Sequence, residues 1–478
     1  MQLYWHRSDL RGVDNRGLAE AASAVSPDLL PDADGIIPVF IFDDNALEHD
    51  GNARVQYMLE SIAELRSWYR DRDSDLLIAR GDPESILPEL ASTHDVDRVV
   101  WNREYSGFAQ SRDQQVADAL TEHDIAHCSV RDSIFFEPGS ITTNKGEPYS
   151  VYTYFWKKWR DREKNAPIDA PDADMFVPDE GIGDSLPTID SLGFEEPTAD
   201  IQPAGTNAAR NRLSDFCADG IYRYDDDRDY PSRDAVSRLS ADLSFGTIGV
   251  RDVHAATVAA AEVDGITDAE AESVEEFQSQ LAWREFYTHV LYFNPEVVTE
   301  NYKSYENGIQ WRDDPAALQA WKDGETGYPI VDAGMRQLKS EAYMHNRLRM
   351  IVASFLTKDL LIDWREGYGH FRQYLADHNI ANNNGGWQWA ASTGTDAQPY
   401  FRIFNPMTQG ERYDPDAEYI KQYVPELREV PADTIHEWHE LSPTERARLD
   451  TDYPAPIVDH SKQREKALEM FETARGDA

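Results

Sequence analysis

DHNIANNNGGWQWAASTGTDAQPYFRIFNP, residues 377–406, decides how the rest of the chain is read. It gathers Asn382, Asn383 and Asn384, the Gly385–Gly386 pair and a run of small residues among aromatic ones. Asparagine is a poor helix-interior residue, glycine lets backbone approach a neighbour closely, and no helical period is read across the segment. Trp387, Trp389, Tyr400, Phe401 and Phe404 supply flat aromatic surfaces. A packing corner between helices explains any one of these residues. The whole string, with its polarity and its glycine, reads as a wall around a large planar ligand.

Outward from it, the chain from about 206 to 478 is helical by pattern. Apolar positions recur with a 3.6-residue period near 206–218, 249–262, 270–292, 315–322, 329–339, 341–361, 366–378 and 416–424. The tail from His460 reads as a polar, frayed helix. Residues 131–205 form a connector: an aromatic, basic helix at Val151–Glu163, then a stretch rich in Pro, Asp, Gly and Ser from Ala166 to about Ala204, read as a surface linker. Residues 1–130 alternate apolar runs (LYW at 3–5, IIPVFIF at 36–42, LLI at 76–78, RVVW at 98–101 and the stretch at 126–130) with helices at 16–25, 52–69, 83–94 and 111–122. Such alternation predicts a doubly wound parallel α/β sheet, Rossmann-like in class, ahead of an all-α domain. No GxGxxG or GxxxxGK[ST] follows the first strand, so neither a standard dinucleotide site nor a P-loop is expected. Sheets of this kind bind ligands at the carboxyl ends of their strands, which leaves room for a small planar cofactor there.

The 478 residues carry a formal charge of −42, with 11 lysines against 35 arginines. The acids are dispersed over the chain, as on a halophile's surface, where hydration and self-repulsion keep a protein dissolved in brine. Two cysteines, Cys128 and Cys217, make neither a disulfide framework nor a metal cluster, and no metal is expected. The N-terminus has no apolar signal core and no run approaches membrane-spanning length, so a cytoplasmic protein with no membrane partner, acting as a monomer, is expected.

Further stretches carry polar groups into helical patterns. The turn Ser237-Arg238-Leu239-Ser240 offers hydroxyls, an arginine and backbone N–H groups suited to a phosphate, although by itself it reads first as a capped helix start. Gln280, Trp283, Arg284 and Tyr287 share one helical face at i, i+3, i+4 and i+7, an apolar stripe with two polar readers. MHNRLRM (344–350) places Arg347 and Arg349 in an otherwise apolar helix, where both need partners, and Asp377 is a candidate.

The strings WHRSDLRGVDN, SRLS, LAWREFY, GYPIVDAGMRQL, YMHNRLRMIVASFLTKDLLIDWREG and NNGGWQWAASTGTDAQPYFRIFNP closely resemble the photolyase/cryptochrome family, class I cyclobutane pyrimidine dimer photolyases above all. The resemblance runs over nearly the full length and is weakest in the first domain and the connector. It implies an antenna domain at 1–130, a linker at 131–205 and a helical FAD-binding domain at 206–478. It also implies reduced FAD as cofactor, UV-damaged DNA as partner, and light-driven splitting of pyrimidine dimers by electron transfer. By family position Tyr224, Val236, Ser237, Arg238, Leu239 and Ser240 flank the FAD phosphates. Asn346, Arg349, Asp377, His378 and Asn379 lie around the isoalloxazine, and Asn383 sits opposite its N5. Trp387, Trp364 and Trp311 match the family's electron-transfer chain. Trp283 and Trp389 are the implied walls for flipped bases, with Gln280, Tyr287, Asn346, Arg347 and Met350 lining the pocket. Arg228, Arg284, Arg347 and Gln409 match DNA contacts. Relatives that repair (6-4) photoproducts carry histidines at the positions of Asn346 and Met350, so the cyclobutane dimer is the expected substrate.

The chain departs from the class I pattern at three positions. Gln280 stands where a glutamate is usual, Val236 replaces a threonine and Asn379 replaces an aspartate. Glutamine keeps donor and acceptor capacity without a proton to give, so a lower repair yield is expected. A cryptochrome-like light receptor is the alternative reading. The folate-binding residues of the family are not recognisable around Tyr105–Gln110, so a deazaflavin antenna, a folate or none are all open. With distant acids screened at high salt, affinity for a lesion is expected to rest on pocket contacts and DNA distortion more than on counterion release. The halophile reading also has a direct test. Lowering salt from molar to about 0.1 M, where the screening length grows to ~10 Å, should lower the thermal unfolding midpoint. A midpoint that does not move contradicts it.

Overall fold

The structure is a computed structural model and describes residues 1–25, 35–178 and 184–477. Five parallel strands, β1 (Gln2–His6), β2 (Ile36–Phe42), β3 (Leu77–Arg80), β4 (Arg98–Asn102) and β5 (Ala126–Val130), form one sheet in the order β3-β2-β1-β4-β5. Strand side chains alternate between two cores. Tyr4, Phe40, Phe42 and Val100 face the helices Arg16–Ser23 and Asn52–Arg70, while Leu3, Trp5, Val39, Ile41 and Trp101 face Pro83–Thr93 and Gly107–Glu122. Burial of both faces is why β2 reads as one apolar run and not as an alternating strand. The fourth of these helices starts at Gly107, earlier than the periodicity predicts, because the Ser106 side chain accepts the Ala109 N–H and caps it.

The connector does more than span the surface. Its helix Tyr152–Arg160 buries Tyr152, Phe155 and Trp159 against the long helix Asp268–Phe293. Beyond it the linker expectation is corrected. Phe176, Ile189 and Leu192 are buried in the core beside Asn52–Arg70, and the Val177 N–H donates to the Ile36 carbonyl at 3.1 Å. Single apolar anchors without a period hold this segment, so no sequence window registers them.

Two elements of the helical half also differ from expectation. Residues 382–386 lie inside the helix Ile380–Ala390. Asn379 caps it by accepting the Asn382 N–H, and Asn384 and Gln388 donate to the Val297 carbonyl at 2.7 and 2.8 Å, so tertiary hydrogen bonds override weak propensity. The expected helix at 341–361 is instead Asn346–Ser354, capped by His345 and continued by a π turn over Phe355–Asp359. The C-terminal helix His460–Arg475 is docked and not frayed: Ala467 and Phe471 are fully buried, and His460 Nδ1 lies 2.5 Å from the Asp359 carboxylate. No helix of the described residues is long and apolar enough to cross a membrane.

The two halves meet through a buried ion network. Arg251 Nε donates to Asp14 at 2.6 Å and its NH2 to Asp132 at 2.6 Å, while Arg11 NH2 donates to Asp132 at 2.5 Å. Beside it the Leu10 N–H donates to the Phe245 carbonyl at 3.0 Å. Gly246, at φ +65°, lets the backbone of Ser8 and Asp9 come close enough that any Cβ would overlap it. Arg251→Ala takes the guanidinium from buried Asp14 and leaves Asp132 to Arg11 alone, and removing one partner of a buried pair costs about 3–5 kcal/mol. Chemical denaturation should show a loss of that size. A loss under about 1 kcal/mol, typical of an exposed pair, contradicts the role given to the network.

Candidate functional site

The helix Asp268–Phe293, the helix Asn346–Ser354 and the helix Ile380–Ala390 converge in the second half of the molecule. Close approach is made possible by Gly385, where a Cβ would collide with the Tyr287 ring. Three groups of side chains gather around this convergence.

In the first, Tyr343 lies between two arginines, with the Arg238 guanidinium 3.9 Å from the ring centroid and that of Arg349 at 5.6 Å. Arg238 sits at φ +53° in the turn that opens the short helix Ser240–Phe245, and its NH2 lies 3.1 Å from Glu341. Val236 and Ser237 are half-buried and Ser240 is exposed, whereas Leu239 is buried in the core of the long helix. The Tyr224 ring stands edge-on to Phe216 and Phe277. Arg349 donates to the Met344 carbonyl at 2.8 Å and to Asp377 Oδ2 at 2.7 Å. The other oxygen of that buried carboxylate, Oδ1, has no partner. An unpaired buried carboxylate oxygen is costly, so it marks a place for an external N–H donor. Asn383 is buried on the same helix that Asn379 caps.

In the second group, Trp283 stacks on Tyr152 at 3.6 Å and 12°, and Tyr287 lies 5.5 Å from it. One turn back, Gln280 Nε2 donates to Glu276 at 2.8 Å, and Arg228 pairs with the same carboxylate. In the third, Arg347 pairs with Asp229 and lies 4.4 Å over Tyr413, on the helix that also carries Gln409, whose Oε1 is buried without a partner. Arg228 and Asp229 are consecutive, so the second and third groups share one rim. Asn346 and Met350 flank Arg347, with the Asn346 amide 3.9 Å from the Met350 sulfur, and Trp389 packs toward Phe404.

The three candidate relay tryptophans belong to one core. Trp387 and Trp364 are buried in it, and Trp311 is half-buried against it and against Phe471. Trp364 Nε1 donates to Asn301 at 2.9 Å, whereas Trp387 Nε1 has no partner. Gly367, three residues after Trp364 on the helix Trp364–Tyr374, lies directly under the Trp387 indole.

Two expected site residues face elsewhere. Arg284 does not reach the rim: it donates to the Ser133 and Leu243 carbonyls at 2.6 and 2.9 Å, and burial pulls its pKa down to about 10. At i+1 from Trp283 it points to the opposite flank of the helix, which the spacing argument overlooked. His378 is buried with Nε2 unpaired, and burial holds its pKa well below the usual imidazole range. Both line a second site, a cavity of about 530 Å³ between the carboxyl ends of β1, β2 and β4 and the helical half, with Trp5, Phe42, Tyr105 and Tyr368 among its walls. Asn379 lines it as well, so the two sites share a wall at 378–379. Glu276, Asp229, Tyr343 and Tyr413 were absent from the sequence reading, because each is defined only by its partner across the fold.

Comparison with known proteins gives the family of the chain. Residues 277–473 match the family described as the FAD binding domain of DNA photolyase, and residues 2–172 match the DNA photolyase family. The chain is 61% identical to the deoxyribodipyrimidine photo-lyase of Halobacterium salinarum over 100% of both chains. A bacterial class III photolyase from Agrobacterium tumefaciens superposes with a TM-score of 0.90 at 36% identity, covering 99% of this chain and 98% of that one. An archaeal photolyase from Sulfolobus tokodaii, solved with two FAD molecules, superposes with a TM-score of 0.82 at 30% identity over 99% of each.

Adding a methyl group at Gly367 must displace Trp387. Overpacking of this kind costs about 1–3 kcal/mol, so Gly367→Ala should lower stability by that amount and alter the near-ultraviolet circular dichroism of the tryptophans. An unchanged spectrum contradicts the packing described.

Proposed function

The chain belongs to the DNA photolyase family, and from that premise we propose that it is a deoxyribodipyrimidine photo-lyase that splits cyclobutane pyrimidine dimers in DNA under light. The observation that carries the reading is the buried Asp377 carboxylate, held by Arg349 on one oxygen and open on the other. That oxygen fits an N–H of the flavin ring, Asn383 adds no negative charge beside a reduced, anionic ring, and Arg238 with the Ser237 hydroxyl suits the phosphates. Held by Asp377, Arg238 and the Ser237 turn, a reduced FAD would supply the light-driven one-electron chemistry that opens the cyclobutane ring.

The residues of the chain bind and orient. Trp283, backed by Tyr152, offers its other face to a flipped base, and Trp389 forms the opposing wall. Asn346, Met350 and Gln280 border the pocket between them. Extrusion of a damaged step costs a few kcal/mol, least where stacking is already broken, and the aromatic walls offset it. Arg228 and Arg347 stand on the rim where phosphates pass, each already holding a carboxylate. Trp387, Trp364 and Trp311 serve as the relay that passes electrons inward from the surface. A second chromophore (a deazaflavin, a folate or a second flavin) belongs in the interdomain cavity, where Arg284 and His378 meet it.

The test is to illuminate reduced, flavin-loaded protein with dimer-containing DNA and assay restored pyrimidines. Restoration in light and none in darkness is expected, with a loss of about tenfold or more in Trp283→Ala, which removes a stacking wall worth about 1–3 kcal/mol. Intact dimers after prolonged illumination would overturn the reading and favour a light receptor.

A further inference from the structure

We propose that Glu276 is a positioning residue that locks the Gln280 amide so that only its carbonyl oxygen faces the lesion. The inference rests on the lesion reading of the Trp283 pocket given above. Gln280 Nε2 is within hydrogen-bond distance of three acceptors, Glu276 Oε1 at 2.8 Å, Ser279 Oγ at 3.1 Å and the Glu276 carbonyl at 3.3 Å. Glu276 Oε1 also accepts from the Ser279 hydroxyl at 3.3 Å and pairs with Arg228. An ionised carboxylate only accepts hydrogen bonds, so the neighbouring amide has one admissible orientation, N–H₂ inward and oxygen outward. The outward group is then a pure acceptor, as a carboxylate would be, and it suits the imide N–H of a pyrimidine. An i,i+4 pair on a helix adds little to stability, so the consequence here is orientation and not folding.

The lock also changes what a glutamate at 280 would do. Two carboxylates at the separation of Gln280 and Glu276 resist ionising together, and one of them holds a proton into the neutral range. Arg228 and Ser279 face this pair directly. Tyr224 and Tyr152 lie within its electrostatic reach, and Asp229 acts on Arg228 from beyond. Glu275, the adjacent acid, is turned away toward Arg160. Replacing Gln280 by glutamate alone therefore sets two acids against each other, whereas exchanging both residues keeps one amide and one carboxylate in contact.

The experiment measures affinity for dimer-containing and undamaged DNA from pH 5 to 8 in folded, flavin-loaded variants. Glu276→Gln should lower the preference for the dimer by up to about tenfold, the net worth of one hydrogen bond, while undamaged DNA binds as well as before or better, since Arg228 is released. Gln280→Glu should show a preference that falls as pH rises. The double variant Glu276→Gln/Gln280→Glu, with an amide again donating to a carboxylate, should recover the preference and lose the pH dependence. A full preference in Glu276→Gln together with its loss in Gln280→Ala overturns the lock and leaves the lesion pocket standing. A full preference in Gln280→Ala removes Gln280 from the pocket, and the lock with it.

Discussion

A buried carboxylate with one satisfied oxygen is the constraint around which the helical half is arranged. Arg349 fixes Asp377 Oδ2, and the same guanidinium reaches back to the Met344 carbonyl, so the acid cannot swing away to find water. Leaving Oδ1 bare in a packed interior costs free energy that the fold alone never recovers. A ligand that donates there offsets that cost. Tyr343, between Arg238 and Arg349, connects this acid to the SRLS turn, so one planar, phosphorylated ligand can satisfy both ends of the site.

The α/β half is tied to that site by more than a tether. The Arg11–Asp14–Asp132–Arg251 network fixes the carboxyl ends of the strands against the helices, and the interdomain cavity inherits its shape from this docking. Residues 378 and 379 border the cavity and follow directly on Asp377. A chromophore in the cavity would therefore lie close to any ligand bound at Asp377, the condition for passing excitation between them.

Much of this was legible in the sequence because it is written in periods. The strands of the sheet are apolar runs with helices between them, and the convergence of Arg349 on Asp377 follows from the cost of an unpaired arginine in an apolar helix. The helix Ile380–Ala390 was not legible, because Asn384 and Gln388 find their partner, the Val297 carbonyl, far away in the chain. The buried anchors Phe176 and Ile189 escaped for a similar reason. Helical spacing put Arg284 on the same stripe as Trp283, but adjacent positions diverge by about 100° around a helix, and that turns it into the interdomain cavity. Acidic rim residues escaped as well: among 88 acids in the sequence, nothing local distinguishes Glu276 or Asp229. Their pairing with Arg228 and Arg347 shows how a strongly acidic chain keeps arginines at its mouth. A phosphate reaching either arginine would have to displace a carboxylate.

The most direct measurement is a crystal structure of the flavin-loaded protein. A flavin ring N–H should lie about 3 Å from Asp377 Oδ1, with Arg349 still on Oδ2. A flavin bound elsewhere, or an Asp377 Oδ1 satisfied by water or by another side chain, would contradict it.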